Sequence, residues 1–184
     1  HQRAGSREVT ELHGSLASVA CLACGAAIER AAMQQQLLER NSLLAGLSAS
    51  SAPDGDAYLD DFDDSGIDVP GCTSCGGIMK PQVVFFGENV PAARVEHCFN
   101  ALENADAMLV VGSSLMVYSG FRFVRAAQRA GIPIAAINLG KTRADELLTL
   151  KIRLDCAKAL HSVLTNIYSG AASAAETKCD LVPR

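Results

Sequence analysis

From Ala107 onward, apolar runs alternate with stretches of helical periodicity: "AMLVVGSS", then "FRFVRAAQRAG", then "IPIAAINLG". A short run of Val, Ile, Leu and Ala that ends at Gly predicts a parallel strand buried on both faces. Ahead of it, "PAARVEHCFNALENA" places Val95, Phe99 and Leu102 at helical spacing, with Pro91 where a first turn tolerates it. The closing "AKALHSVLTNIY" puts Leu160, Leu164 and Ile167 on one face. Helix, strand, helix, strand is the rhythm of an open α/β sheet over residues 93–168.

The pattern changes upstream. "MQQQLLER" favours a helix, and "PQVVFFGE" a short strand stopped by Gly. Between them "SASSAPDGDAYLDDFDDSGIDVP" reads as a polar, solvated insertion. Its acidic residues do not form a calcium loop, because Gly breaks the alternating ligand pattern and no Glu closes it. After Gly170 the periodicity is lost, predicting a disordered tail at 169–184, whose final "LVPR" looks like a protease site from an expression tag.

Composition narrows the class. With 184 residues, 49% hydrophobic and 20% charged, the chain can bury a core, and its net charge of -4 argues against a phosphate-neutralising nucleic-acid groove. No apolar run approaches the roughly 18 to 20 residues of a membrane span. The expected partners therefore exclude nucleic acid and membrane. The first residue is His1, so the chain is expected to be processed or a fragment.

Cys21 and Cys24 form one C-x-x-C pair and Cys72 and Cys75 another, each followed by Gly. Such turns let two sulfurs face one ion, and two of them complete a tetrahedral thiolate site for zinc. The gap exceeds the roughly 15 to 20 residues of a simple ribbon, so the ion would tie the base of an inserted module. A redox dithiol and reduced core cysteines are the alternatives. A four-thiolate zinc is closed and structural, leaving no position to activate water. Any chemistry must come from elsewhere. Of the four histidines, His97 and His161 sit in helical patterns and His1 is terminal, whereas His13 stands in "TELHGSL" at a junction of segments.

Taken in order, "ELHGSL", the two C-x-x-C motifs, "KPQVVFFGE", "VVGSSLMVYSG" and "INLG" resemble the sirtuins, NAD-dependent protein deacylases. The resemblance covers residues 3–168. "APDGD" before the second knuckle and "VYSG" after "GSSL" are most similar to class II, which includes the mitochondrial-type sirtuin of animals and many bacterial homologues. It implies an α/β fold: a partial Rossmann-like parallel-sheet domain with a small inserted four-cysteine zinc-binding module. The implied segments are 1–18 in the catalytic cleft of the large domain, 19–80 as the zinc-binding small domain with its acidic insertion, and 81–168 as the C-terminal part of the NAD-binding domain.

The resemblance also implies roles. His13 matches the general base, and Cys21, Cys24, Cys72 and Cys75 the ligands of one structural Zn2+. Gly112, Ser113 and Ser114 match the strand-end turn that meets NAD, Asn138, Leu139 and Gly140 the loop that meets its adenosine half, and Cys156 a backbone contact to adenine. Val84, Phe86 and Gly87 lie in the segment that resembles the substrate strand, where an acyl-lysine peptide adds as an extra strand. NAD is then a consumed cosubstrate. The acyl oxygen displaces nicotinamide, a base deprotonates a ribose hydroxyl that attacks the resulting imidate, and water releases lysine and O-acyl-ADP-ribose. An imidazole suits that proton transfer near neutral pH.

The family's Gly-Ala-Gly phosphate loop and Gln-Asn-Val-Asp motif are not in the sequence, so the segment alone is expected to be inactive and its acyl preference unreadable. The alternative functions are protein mono-ADP-ribosyl transfer at the same site and a non-catalytic zinc-stabilised interaction module. Thiolate zinc points to a reducing compartment, bacterial cytoplasm, or alternatively mitochondrial matrix.

Overall fold

The computed structural model describes residues 1–51, 57–58 and 62–176. The centre of the acidic insertion, with the rejected calcium loop, and the "LVPR" end lie outside these residues. The chain divides into two compact units, His1–Val90 and Pro91–Arg184. No helix among the described residues is long and apolar enough to cross a membrane.

The N-terminal unit is built on strand β1 (Gly14–Cys21), flanked by β2 (Ala27–Glu29) and β5 (Met79–Val83) in the antiparallel order β2-β1-β5. A bulge in β1 between Gly14 and Val19 shifts its register against β5. Helix α1 (Arg30–Arg40) packs on β1 and β2 and buries Met33. Two-residue strands β3 (Ser50–Ser51) and β4 (Ala57–Tyr58) pair within the insertion.

Asn41, only 4% exposed, closes the insertion at its base. Its Nδ2 donates to the carbonyls of Leu37 and Asp68, both at 2.9 Å, and its Oδ1 accepts from the Asp68 amide at 2.7 Å. Truncation leaves the Asp68 backbone groups short of partners, at a cost of about 1–3 kcal/mol. Asn41→Ala is therefore expected to lower the unfolding free energy by that amount, seen as a lower urea midpoint with an unchanged m-value.

In the C-terminal unit, α2 (Ala92–Glu103) leads into β6 (Met108–Val111), α3 (Tyr118–Ala130), β7 (Ile134–Ile137), β8 (Leu150–Ile152) and α4 (Cys156–Glu176). The three strands form a parallel sheet in the order β6-β7-β8. Its core gathers Val110, Leu115, Phe121, Val124, Ala127, Ile134, Ala136 and Ala144. Phe99 of α2 meets Phe123 of α3 with ring centroids 4.8 Å apart.

Three expectations change. Strand β6 is covered on one face only: Val110 is buried, whereas Leu109 and Val111 are 55% and 39% exposed. The apolar face of α4 is likewise open, with Leu164 and Ile167 at 51% and 60%. The helix also continues past Tyr168 to Glu176, because "GAASAAE" is dominated by strong helix formers and contains no Pro.

Candidate functional site

The two cysteine turns are built alike. The Cys21 and Cys72 carbonyls accept from the Gly25 and Gly76 amides at 3.0 and 2.8 Å, and the Cys21 and Cys72 amides donate to Ala26 and Gly77. Gly25 and Gly76 close the turns at φ 74 and 73, in the left-handed region that glycine enters without steric cost. Gly77 lies so close to the sulfurs that a Cβ there would stand 2.9 Å from Cys21 Sγ.

All four Sγ atoms lie within 4.8 Å of one another, with Cys21–Cys75 at 3.5 Å and Cys24–Cys72 at 3.7 Å. Four sulfurs about 2.3 Å from a tetrahedral zinc stand about 3.8 Å apart, so the spacing fits one ion. The cysteines are free thiols at separations far above the roughly 2.05 Å of a disulfide. Backbone hydrogen bonds from Cys24 and then Ala23 lower the Cys21 thiol to about 6. Amides of Ser74 and Cys75 lower Cys72 in the same way. Although the Gly77 amide pulls Cys75 down, the neighbouring Cys24 and Cys21 sulfurs push it up to about 12. The Cys21 and Cys72 thiols are thus eased toward the thiolate form while Cys75 is held back by its neighbours, and full ionisation of the set calls for a cation among them. Cys21 and Cys72 are buried and Cys24 and Cys75 exposed, which gives the site a solvent-facing side.

His13 precedes β1 and is exposed. Its carbonyl accepts from the Val84 amide at 2.8 Å, extending the β1–β5 pairing by one step. The next residue, Gly14, packs so closely on β5 that a Cβ would sit 1.9 Å from the Gln82 carbonyl oxygen. The backbone of His13 is therefore locked beside the segment holding Val84, Phe86 and Gly87.

That segment differs from its expected form, since β5 ends at Val83. Phe85, Phe86 and Gly87 form a turn in which Glu88 accepts from the Phe85 amide at 3.0 Å and pairs with Lys80 at 2.6 Å. Lys80 Nζ also lies 4.8 Å from the Phe85 ring centroid. Phe86 projects outward, 96% exposed. Strand β5 is an edge of its sheet.

In the C-terminal unit the remaining candidates meet at the carboxyl ends of the parallel strands. Gly112 follows β6, and its amide donates to the Ile137 carbonyl at 2.9 Å. Cys156, at the start of α4, places Sγ 3.5 Å from the same carbonyl oxygen. Asn138, Leu139 and Gly140 follow β7, with Asn138 Nδ2 donating to the Gly140 carbonyl at 3.1 Å and Leu139 68% exposed. The Ser113 hydroxyl accepts from the Leu115 amide at 3.2 Å. Ligands bind at such strand ends in open α/β sheets. His97 and His161 are exposed on α2 and α4, outside both groups.

A model of the Sir2 family matches residues 1–119. The chain belongs to the Sir2 family. Among its relatives, an NAD-dependent protein deacetylase of Xanthomonas axonopodis pv. citri is 59% identical over 160 residues, covering 87% of this chain and 55% of that protein. One of Bordetella bronchiseptica is 56% identical over 165 residues, covering 90% and 60%. Among solved structures, Sir2 with a p53 peptide and NAD+ is similar at TM-score 0.69 and 28% identity, over 90% of this chain and 58% of that one. Sir2 bound to an acetylated peptide gives TM-score 0.69 at 27% identity, over the same shares. The sirtuin chain described here thus spans a little over half the length of these relatives.

The sequence reading missed the network that fixes the loop after β7. Lys151 of β8 bonds both Asp145 carboxylate oxygens, at 2.6 and 2.7 Å, and the Gly140 carbonyl at 2.9 Å, while Asp145 also accepts from the Thr142 amide at 3.0 Å. The strict alternation in "LTLKIRL" could have revealed β8. Lys151, then the Thr142 hydroxyl, draws the Asp145 carboxyl down from 3.8 to about 2. A depressed carboxyl stabilises the fold above its unfolded pKa and loses that contribution as pH falls through the folded one. The stability advantage of wild type over Asp145→Asn is therefore expected to be constant above pH about 5, to fall progressively below it, and to vanish only near pH about 1, as measured by urea unfolding across that range.

Proposed function

We propose that this chain carries the zinc unit, the base and part of the NAD-binding sheet of an NAD-dependent protein-lysine deacylase that transfers the acyl group to ADP-ribose. The activity rests above all on the 59% identity to a bacterial NAD-dependent protein deacetylase. In this reading Cys21, Cys24, Cys72 and Cys75 hold one zinc that supplies folding stability and no open coordination position.

Gly112, Ser113 and Ser114, with Asn138, Leu139, Gly140 and Cys156, face the ribose and adenine of NAD. Their meeting at the ends of β6, β7 and β8 supports this assignment. His13 is the general base that removes a proton from a ribose hydroxyl. Its backbone link to Val84 supports placing it beside the acyl-lysine, which Val84, Phe86 and Gly87 take up along the free edge of β5. Main-chain recognition of this kind tolerates varied peptide sequences, as a protein deacylase requires. The bacterial relatives favour a bacterial cytoplasm over a mitochondrial matrix.

The test is the dependence of nicotinamide release on acyl-lysine peptide in the complete protein. Release that requires the peptide, at matching stoichiometry, supports deacylation. Release with acceptor proteins lacking acyl-lysine supports ADP-ribosyl transfer and overturns the reading.

A further inference from the structure

Between β6 and α3 the chain passes through Ser113, Ser114, Leu115, Met116 and Val117 without helix or strand structure. Leu115 has φ 56 and is the sole non-glycine residue at positive φ among those described. Its side chain is nevertheless buried in the core of the C-terminal unit. A bulky residue persists in that conformation only where its surroundings hold it.

Much of that hold comes from one residue. The Arg143 amide donates to the Ser114 carbonyl at 2.9 Å, and Arg143 Nη1 donates to the Met116 carbonyl at 3.0 Å. The guanidinium carbon lies 4.5 Å from the Phe121 ring centroid and 5.9 Å from that of Tyr118. Arg143 is itself rooted, because Thr142 and Ala144 on either side are 2% and 0% exposed and Thr142 is tied to Asp145. It thus joins the loop after β6 to the loop after β7.

We propose that Arg143 is a positioning residue for the dinucleotide: it holds the 112–117 loop against the 138–145 loop so that the turn at Gly112, Ser113 and Ser114 is formed before NAD arrives. This rests on the assignment of those loops to NAD. Released from Arg143, the 112–117 loop populates the binding form for only a fraction of the time, and apparent affinity falls by that fraction. Catalytic rate with bound NAD and affinity for the acyl peptide do not depend on that population.

The experiment compares wild type, Arg143→Ala and Arg143→Lys in the complete protein, measuring ADP-ribose binding by calorimetry and steady-state kinetics with NAD and an acetyl-lysine peptide. Arg143→Ala is expected to weaken ADP-ribose binding and raise KM for NAD about tenfold, with kcat and the peptide KM unchanged. Both variants keep the main-chain bond to Ser114; lysine also keeps the charge but lacks the planar fork, and is expected to fall between the two. If the alanine variant does not fold, the lysine variant carries the comparison. ADP-ribose binding within about twofold of wild type, or parallel loss of kcat, both KM values and thermal stability, would overturn the proposal. A wild-type protein that binds no ADP-ribose would instead remove the NAD assignment on which it stands.

Discussion

Cys72→Ser is expected to release the metal and unfold the N-terminal unit. The four sulfurs come from the end of β1 and from the two turns, and the second turn leads directly into β5. One ion therefore ties together the start and end of the segment that contains α1 and the acidic insertion. A bound structural zinc contributes on the order of 10–16 kcal/mol of apparent binding free energy near pH 7, more than the whole stability of many domains. Serine lacks a comparable anionic donor, and the remaining three thiolates leave the tetrahedron open. Wild-type protein is expected to contain one zinc per chain by elemental analysis. The variant is expected to contain none, with loss of the cooperative thermal transition of this unit. A metal-free wild type that remains folded would contradict the zinc assignment.

His13→Ala is expected to abolish deacylation in the complete protein while leaving zinc content and melting temperature close to wild type. A positioned general base contributes roughly 10²- to 10⁴-fold in rate. Stability is spared because the bond from Val84 goes to the main-chain carbonyl of residue 13, which alanine retains, and because the side chain is exposed. Single-turnover measurement of O-acyl-ADP-ribose formation checks this expectation. Wild-type turnover by the variant would remove His13 from the chemistry.

Much of the C-terminal unit was legible in the sequence because its elements follow strong periodicities. Phe121, Val124 and Ala127 mark the buried face of α3, and the Gly131 cap ends it at φ 72. Strands β6 and β7 stood out as apolar runs. Strand β8 stood out less because it alternates apolar and polar residues, the pattern of a half-buried strand, instead of forming a continuous apolar run like β6 and β7. The open faces of β6 and α4 were beyond reach for a different reason: apolar character in a sequence indicates surface that favours burial, not the surface that covers it.

In the N-terminal unit the cysteine spacing announced the cluster, yet β1 went unread because Gly14 and the bulge interrupt its alternation. The pairing of His13 with Val84 joins residues far apart in the chain, and only the register of β1 on β5 brings them together. Arg143 was equally hidden. Its significance lies in two carbonyls and two rings supplied by a loop and helix more than twenty positions earlier, and no local motif encodes that arrangement.

In the proposed reaction an acyl group passes from lysine to ADP-ribose. Mass spectrometry of products formed by the complete protein from NAD and an acetyl-lysine peptide tests it most directly. Equal amounts of nicotinamide, deacetylated peptide and O-acetyl-ADP-ribose are expected. Free acetate with NAD left intact, or ADP-ribose attached to protein while the peptide keeps its acetyl group, would contradict it.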